Sequence, residues 1–245
     1  MTQLGLDYPT KWGRQYPARF ARNLYHLFYV GPVARYISTL EAHGLENLQD
    51  AGPFIFVANH SSNLDTPLVL TALPTKVRRK TIVAAAMDNF FMTRKTAFHT
   101  VFVFNAIPID RHKINRRSSQ QALELVAEGW NLLIFPEGGR TPTGQLQEFK
   151  GGAAYLAERT KATVIPTYIH DAGWLQGPKY AKAPQYVDAP SQRRHHVSVT
   201  FGPAMRCAAD ENIRRFNTRI EEAVVHLGRQ VSGNPNYDIS RPSRD

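Results

Sequence analysis

The segment HSSNLD, from His60 to Asp65, places a histidine and an aspartate five positions apart, directly after the apolar run PFIFVAN. On one α-helix, at about 100° per residue, two such side chains point about 140° apart. The pair can meet only if the chain turns between them, with His60 in a loop and Asp65 in the first turn of a helix. A neutral imidazole can then accept a proton from a hydroxyl, while the aspartate fixes its tautomer and stabilises the imidazolium.

The same residues also have a purely structural interpretation. Asn59, Ser61 or Ser62 can cap a helix, and Asp65 is then a favourable first-turn charge. Capping does not require a histidine, but the segment by itself leaves both interpretations open.

Two further polar clusters follow apolar runs. NAIPIDR (105–111) ends in Arg111, whose planar guanidinium matches phosphate oxygens, at the kind of strand end where α/β folds place binding residues. A surface arginine paired with Asp110 is the alternative.

FPEGGRT (135–141) combines Pro136 and two glycines, Gly138 and Gly139, in a tight turn that exposes backbone N–H groups, and Arg140 adds charge. Glu137 can position Arg140 or accept a hydrogen bond from a substrate hydroxyl. An ordinary strand-to-helix turn is the alternative. Together the three clusters indicate activation of a hydroxyl beside a phosphate.

Apolar runs alternate with helix-like segments after residue 50, which predicts an α/β fold with a mixed, mostly parallel central sheet flanked by helices. The predicted strands are 54–58, 81–86, 101–109, 131–135 and 164–169, with an edge strand at 196–201. The predicted helices lie near 62–73, 89–98, 114–129, 150–161 and 209–230. Residues 173–192 are predicted to form a long loop.

Composition narrows the possible functions. The 245 residues carry 30 Lys+Arg against 20 Asp+Glu, a net charge of +10, which favours anionic partners. Cys207 is the only cysteine, so neither an internal disulfide nor a cysteine-based metal cluster can form.

His195 and His196 are adjacent in a predicted strand and point to opposite faces, so we predict no metal site. Signatures of serine hydrolases, P-loop NTPases, dinucleotide enzymes and zincins are absent.

The ordered clusters resemble the four sequence blocks of the glycerolipid acyltransferases, over roughly residues 45–205. NHxxxxD is present as Asn59, His60 and Asp65, and FPEGTRS as FPEGGRT. The block G-x-I-x-I-D-R is matched at 105–111 with Asn105 in place of glycine, and VIPVxI is matched at 164–169.

This resemblance implies that His60 is a general base oriented by Asp65. It implies that Arg111, Glu137, Gly138 and Arg140 hold the acceptor's phosphate end, assisted by Lys150. The cosubstrate would be an acyl thioester of CoA or of acyl carrier protein, with no other cofactor, and no acyl-enzyme would form.

Two departures from the family pattern concern the acceptor. The segment IVAAAMDNFF is apolar near Ala85 and Ala86, where many members have a lysine, and Gly139 replaces a threonine. The acceptor expected first is 1-acyl-sn-glycerol-3-phosphate, with glycerol 3-phosphate and other lysophospholipids left open.

Residues 11–40 mix arginine and lysine with aromatic and aliphatic residues, which is typical of segments at membrane interfaces. A helix packed on the core with solvated arginines is the alternative.

We predict a helical membrane-docking segment at 1–45, an acyltransferase domain at 46–230 and a loose tail at 231–245. No signal peptide and no run of 18 apolar residues is seen, so we expect a peripheral or monotopic protein on the cytoplasmic face of the membrane.

Two rival functions remain at this level. A non-catalytic module that binds anionic membrane or nucleic acid explains the charge, but it gives no reason for His60 and Asp65, and no nucleic-acid-binding motif is present. A hydrolase of the same fold would use water in place of the glycerol hydroxyl.

Overall fold

The chain forms a seven-stranded sheet with a separate two-stranded ladder. A computed structural model describes residues 4–49, 52–111, 116–140, 145–172 and 195–240. The strands are β1 (Ser38–His43), β2 (Phe54–Ala58), β3 (Thr81–Ala86), β4 (Ala106–Ile109), β5 (Asn131–Ile134), β6 (Leu146–Gln147), β7 (Thr163–His170), β8 (His195–Phe201) and β9 (Ile239–Ser240). The order in the large sheet is β1-β8-β7-β2-β5-β3-β4, and β6 pairs with β9.

Five adjacent strands of the large sheet, β7-β2-β5-β3-β4, run parallel to one another. β8 is antiparallel to β7, and β1 is parallel to β8. The sheet is therefore mixed and mostly parallel, which confirms the predicted fold class.

Helices cover both faces of the sheet. They are α1 (Ala18–Tyr25), α2 (Gly31–Ile37), α3 (Asp65–Ala72), α4 (Thr75–Arg78), α5 (Met87–Phe90), α6 (Arg94–Phe104), α7 (Arg116–Ala127), α8 (Gly152–Thr160) and α9 (Ile213–Ser232), and a π-helical turn joins α1 to α2. β2 is buried along its whole length. Its Ile55 and Val57 face a core shared with α7, α8 and α9, while its Phe54 and Phe56 face a second core with α3 and α6. An uninterrupted apolar run is what a strand covered on both faces requires.

One predicted strand was wrong in its first half. Residues 101–104 belong to α6, and only Ala106–Ile109 form β4. Asn105 between them has a φ of 54° and ends the helix in the left-handed conformation. The run VFVFNAIPI is apolar throughout, so periodicity does not separate the buried end of a helix from the strand that follows it.

The N-terminal segment also differs from the prediction of a helical stretch over 1–45. Its helices end at Ile37, and Ser38–His43 form β1 in the large sheet. β8 consequently lies between β7 and β1 and is not the predicted edge strand. The sheet thus extends beyond the proposed boundary at residue 46.

The segment predicted as a loose tail at 231–245 is anchored for part of its length. Tyr237 is buried against Tyr168, with ring centroids 5.4 Å apart, and β9 pairs with β6. Residues 241–245 and the predicted loop at 173–192 lie outside the described residues.

The parallel sheet determines where the polar clusters lie. HSSNLD follows β2, FPEGGRT follows β5, and Arg111 follows β4. Parallel strands have their carboxyl ends at one edge, so clusters that are far apart in sequence converge there.

Gly44, directly after β1, lies where two backbone segments approach each other closely. Its φ is 73°, and an added Cβ would overlap the carbonyl oxygen of Phe201. Gly44→Ala should lower the free energy of unfolding by about 3 kcal/mol, measured by urea denaturation. The cost combines the backbone strain of an alanine at positive φ with the steric overlap of its Cβ with Phe201.

Gly129→Ala is the matched control. Its φ is 87°, but an added Cβ would have no atom within 4 Å. Only the conformational cost of about 1 kcal/mol is expected there. Equal losses for the two variants would contradict the close approach at Gly44.

Candidate active site

His60 and Asp65 meet across the turn after β2. The Nδ1–H of His60 donates to Oδ2 of Asp65 over 2.8 Å. The Asp65 side chain is fully buried, while that of His60 is 22% exposed. In the described part of the chain no group hydrogen-bonds to Nε2 of His60, so this nitrogen is available to a substrate hydroxyl.

The same Asp65 oxygen also accepts the backbone N–H groups of Ser61 and Ser62, at 2.7 and 2.8 Å. These contacts close the turn that brings His60 back onto the aspartate. Of the three residues in the capping alternative, only Ser62 bonds to the backbone at the helix start, where its Oγ accepts the N–H of Leu64 at 3.0 Å. Leu64 itself precedes α3 without a side-chain cap. Asp65 therefore both organises the loop and orients the imidazole.

The loop is fixed on two other sides. The amide of Asn59 donates to the carbonyl oxygen of Ile169 and accepts its N–H, at 3.0 and 2.7 Å, which ties the end of β2 to β7. The imidazole of His60 stacks on Phe135, with ring centroids 4.4 Å apart. The ring is thus held on one face and at one nitrogen.

Glu137 lies beneath the loop and is 4% exposed. Its Oε1 accepts the backbone N–H of His60 at 2.6 Å, and its Oε2 accepts that of Gln147 at 2.9 Å. Both carboxyl oxygens therefore contact the backbone. These contacts connect Glu137 to the His60 loop, and the role at the substrate phosphate that the resemblance implied stays a prediction.

Burial raises the pKa of Glu137 from 4.5 to about 8. The two N–H donors favour the ionised carboxylate, and nearby Asp65 opposes it, but desolvation is the largest effect. At neutral pH this carboxyl is mostly uncharged, which avoids a second buried negative charge beside Asp65.

Arg111 connects three strand ends. Its Nε and Nη2 donate to Oδ2 of Asp88, just after β3, at 3.0 and 2.7 Å. Its Nη1 donates to the carbonyl oxygen of Gly138, after β5, at 3.2 Å. The arginine lies at the predicted edge of the sheet and pairs with Asp88, whereas the alternative interpretation paired it with Asp110.

The remaining predicted cations lie nearby. Lys150 is exposed, and its ammonium donates to the carbonyl oxygen of Arg111 at 2.7 Å. Gly138 has a φ of 72°, which favours glycine, and an added Cβ would lie 2.5 Å from that ammonium, so the lysine side chain would have to shift. Arg140 is exposed at the end of the turn, and its carbonyl oxygen accepts the side-chain amide of Gln147 at 3.2 Å.

Sequence reasoning missed Asp88, Phe135 as a ring partner, and Gln147. Asp88 carried a usable signal, because it is the first charged residue after an apolar run. Gln147 carried none, since its part in the site depends on its backbone N–H. Among the described ranges, no three His, Cys, Asp or Glu side chains are grouped so as to hold a metal ion.

The raised pKa of Glu137 predicts a pH dependence of stability. The pKa of the Glu137 carboxyl is near 4.5 in the unfolded chain and about 8 in the folded protein. Its contribution to the free energy of unfolding is therefore complete below pH 4.5 and is lost as the pH rises to 8. Relative to Glu137→Gln, which does not titrate, the wild-type folding constant should fall by up to about tenfold per pH unit in this window. Urea denaturation of both proteins at pH 5 to 8 measures the difference. A wild-type folding constant that stays level or rises relative to that of Glu137→Gln between pH 5 and 8 would contradict the assignment.

Comparison with known proteins agrees with this geometry. The family model described as Acyltransferase matches residues 39–170, more than half of the chain. The 1-acyl-sn-glycerol-3-phosphate acyltransferase of Pseudomonas aeruginosa is 28% identical over 201 residues, covering 78% of this chain and 70% of that protein. The enzyme of the same name from Saccharomyces cerevisiae is 27% identical over 150 residues, covering 56% of this chain but only 45% of the yeast protein.

The fold has a solved counterpart. The crystal structure of the 1-acyl-sn-glycerophosphate acyltransferase PlsC from Thermotoga maritima superimposes with a TM-score of 0.63, covering 92% of this chain and 84% of that one. At 19% identity this likeness establishes the fold. The family match, which spans the His60 loop, β4 and the FPEGGR turn, shows that the chain belongs to the acyltransferase family.

Proposed function

We propose that the protein transfers a fatty acyl group from an acyl thioester to a hydroxyl of a glycerol phosphate lipid. The observation that carries the proposal is the contact of His60 Nδ1 with the buried carboxylate of Asp65. This contact leaves the lone pair of the neutral imidazole on Nε2 and stabilises the imidazolium that forms when Nε2 takes up a proton.

The reaction needs no covalent enzyme intermediate. Nε2 of His60 removes the proton of the acceptor hydroxyl as its oxygen attacks the thioester carbonyl carbon. Collapse of the tetrahedral intermediate breaks the carbon–sulfur bond, and the leaving thiolate takes the proton from the imidazolium. A positioned base contributes about 10²–10⁴-fold to such a step.

The acceptor's phosphate would bind at the neighbouring strand ends. Arg111, Lys150 and Arg140 place three cationic side chains around the turn after β5. The relatives are named for 1-acyl-sn-glycerol-3-phosphate, so we assign this acceptor first, with phosphatidic acid as the product. CoA is the assigned donor, and acyl carrier protein is the alternative.

We further propose that the protein docks on an anionic membrane through its N-terminal segment. Large apolar side chains are exposed there, with Tyr16 81%, Phe28 73% and Tyr36 74% exposed. Exposed Phe98 on α6 stacks on Trp12 of this segment, with ring centroids 4.9 Å apart, and Phe90 and Met92 are also exposed. Lys11, Arg19 and Arg35 are exposed among them, and such a mixture of apolar and basic side chains suits the interface of an anionic bilayer.

No helix in the described ranges is both long enough and apolar enough to cross a membrane. The proposal is therefore for a peripheral or monotopic protein, and we place it on the cytoplasmic face.

Release of CoA from palmitoyl-CoA tests the reaction, with lysophosphatidate, glycerol 3-phosphate and lysophosphatidylglycerol offered in parallel. His60→Ala should lower acceptor-dependent kcat by about 10²–10⁴-fold or more, because the base is lost. Asp65→Asn should lower kcat while retaining most of the side-chain volume.

His196→Ala is the control, because this histidine is 58% exposed on β8 and should leave the rate unchanged. Equal rates for His60→Ala and wild type would remove the base assignment. CoA release that no acceptor stimulates would point to thioester hydrolysis.

Vesicle flotation tests the membrane proposal. Deleting residues 1–45 would remove β1, so surface substitutions are the better probe. The double variant Phe20→Ser with Phe28→Ser should lower partitioning into phosphatidylglycerol-containing vesicles by at least about tenfold, since two aromatic side chains no longer enter the interface.

Leu45→Ser is the matched control, because Leu45 is 37% exposed but follows β1, outside the basic and aromatic stretch at 11–40. Partitioning that survives the double variant but falls with Leu45→Ser would place the docking surface elsewhere.

A further inference from the structure

The positive charge of Arg111 is already paired with the carboxylate of Asp88 within the protein. Three of its five N–H bonds are used, two by a single oxygen of Asp88 and one by the carbonyl of Gly138. The pair lies at the rim of the site, with the side chain of Arg111 35% exposed and that of Asp88 30% exposed. An acceptor phosphate that approaches this guanidinium therefore meets a carboxylate bound to it.

Asp88 contributes the only charge in its stretch of the site. From Ile82 to Met92 it is the single ionisable side chain. The end of β3 thus adds a negative charge to a rim where the ends of β4 and β5 add positive ones.

The effect of that charge depends on the acceptor. A phosphomonoester carries about −1.5 to −2 charges at pH 7, while a phosphodiester carries one. Coulomb repulsion from a fixed carboxylate scales with the ligand's charge, so it opposes a monoester up to about twice as strongly as a diester in the same position.

We propose that Asp88 is a specificity-determining residue of the acceptor site. It holds Arg111 against the end of β5 and competes with the acceptor phosphate for its guanidinium, weakening binding of phosphomonoesters more than binding of phosphodiesters. This inference rests on the proposed acyl transfer, because it assigns the substrate selectivity of the same site.

The variant Asp88→Asn keeps the shape of the side chain and removes its charge. For lysophosphatidate, KM should fall about threefold to fivefold, the range of a partly exposed ion pair. For lysophosphatidylglycerol, a phosphodiester, KM should change less than twofold, and kcat should stay within twofold for both acceptors. A purely structural role would instead lower kcat and shift both KM values together.

Asp171→Asn is the matched control. Asp171 lies at the same edge of the sheet, just after β7, and contacts His170 at 3.3 Å. Its loss removes one negative charge without touching Arg111, so the ratio of the two KM values should not change. Asp88→Ser, which lacks the amide, must reproduce the ratio obtained with Asp88→Asn, and thermal unfolding of each variant verifies the fold.

Calorimetric titration with glycerol 3-phosphate and with glycerophosphoglycerol separates this inference from the proposed function. If no acceptor is acylated, the proposed function fails, yet tighter binding of glycerol 3-phosphate alone by Asp88→Asn still supports the competition. A higher KM for lysophosphatidate, or equal shifts for monoester and diester, would overturn it and leave the acyltransferase proposal standing.

Discussion

The buried carboxylate of Asp65 is the interaction on which the site depends. A buried charge is stable only where donors replace the lost water, and one oxygen of Asp65 accepts three N–H groups from His60, Ser61 and Ser62. Those contacts impose the turn after β2 and the orientation of the imidazole at once. The structural interpretation of HSSNLD and the proposed catalytic one are therefore compatible with the same arrangement.

The rest of the site is held by side chains that bond to backbone groups. Asn59 ties β2 to β7, and Glu137 ties the His60 loop to Gln147. The ammonium of Lys150 donates to the carbonyl oxygen of Arg111, and its backbone N–H donates to that of Pro136 in the turn after β5. Helix α9 holds the residue before Lys150, because Glu221 accepts the N–H of Phe149 at 2.8 Å. Such contacts fix the spacing between strand ends, on which alignment of two substrates depends.

Much of the fold could be predicted because buried parallel strands need apolar side chains on both faces, and β2, β3, β5 and β7 show such runs. β1 was missed because Ser38–His43 is a polar edge strand with three exposed residues, a pattern that does not differ from a helix end or a loop. The end of α6 was misassigned because its buried face and the following strand form one apolar stretch.

The sequence by itself determined which residues are candidates for the chemistry, since imidazole, carboxylate and guanidinium groups keep their properties in any fold. It also determined that they follow strands, because apolar runs precede them. Only the tertiary structure decided which of these side chains contact each other. In the folded protein Glu137 bonds to backbone N–H groups, and Arg111 pairs with the carboxylate of Asp88, 23 positions away in the sequence. The side chain of Asp65 is completely buried. Pairing depends on the lateral order of the strands, and that order arises from packing between segments distant in the chain.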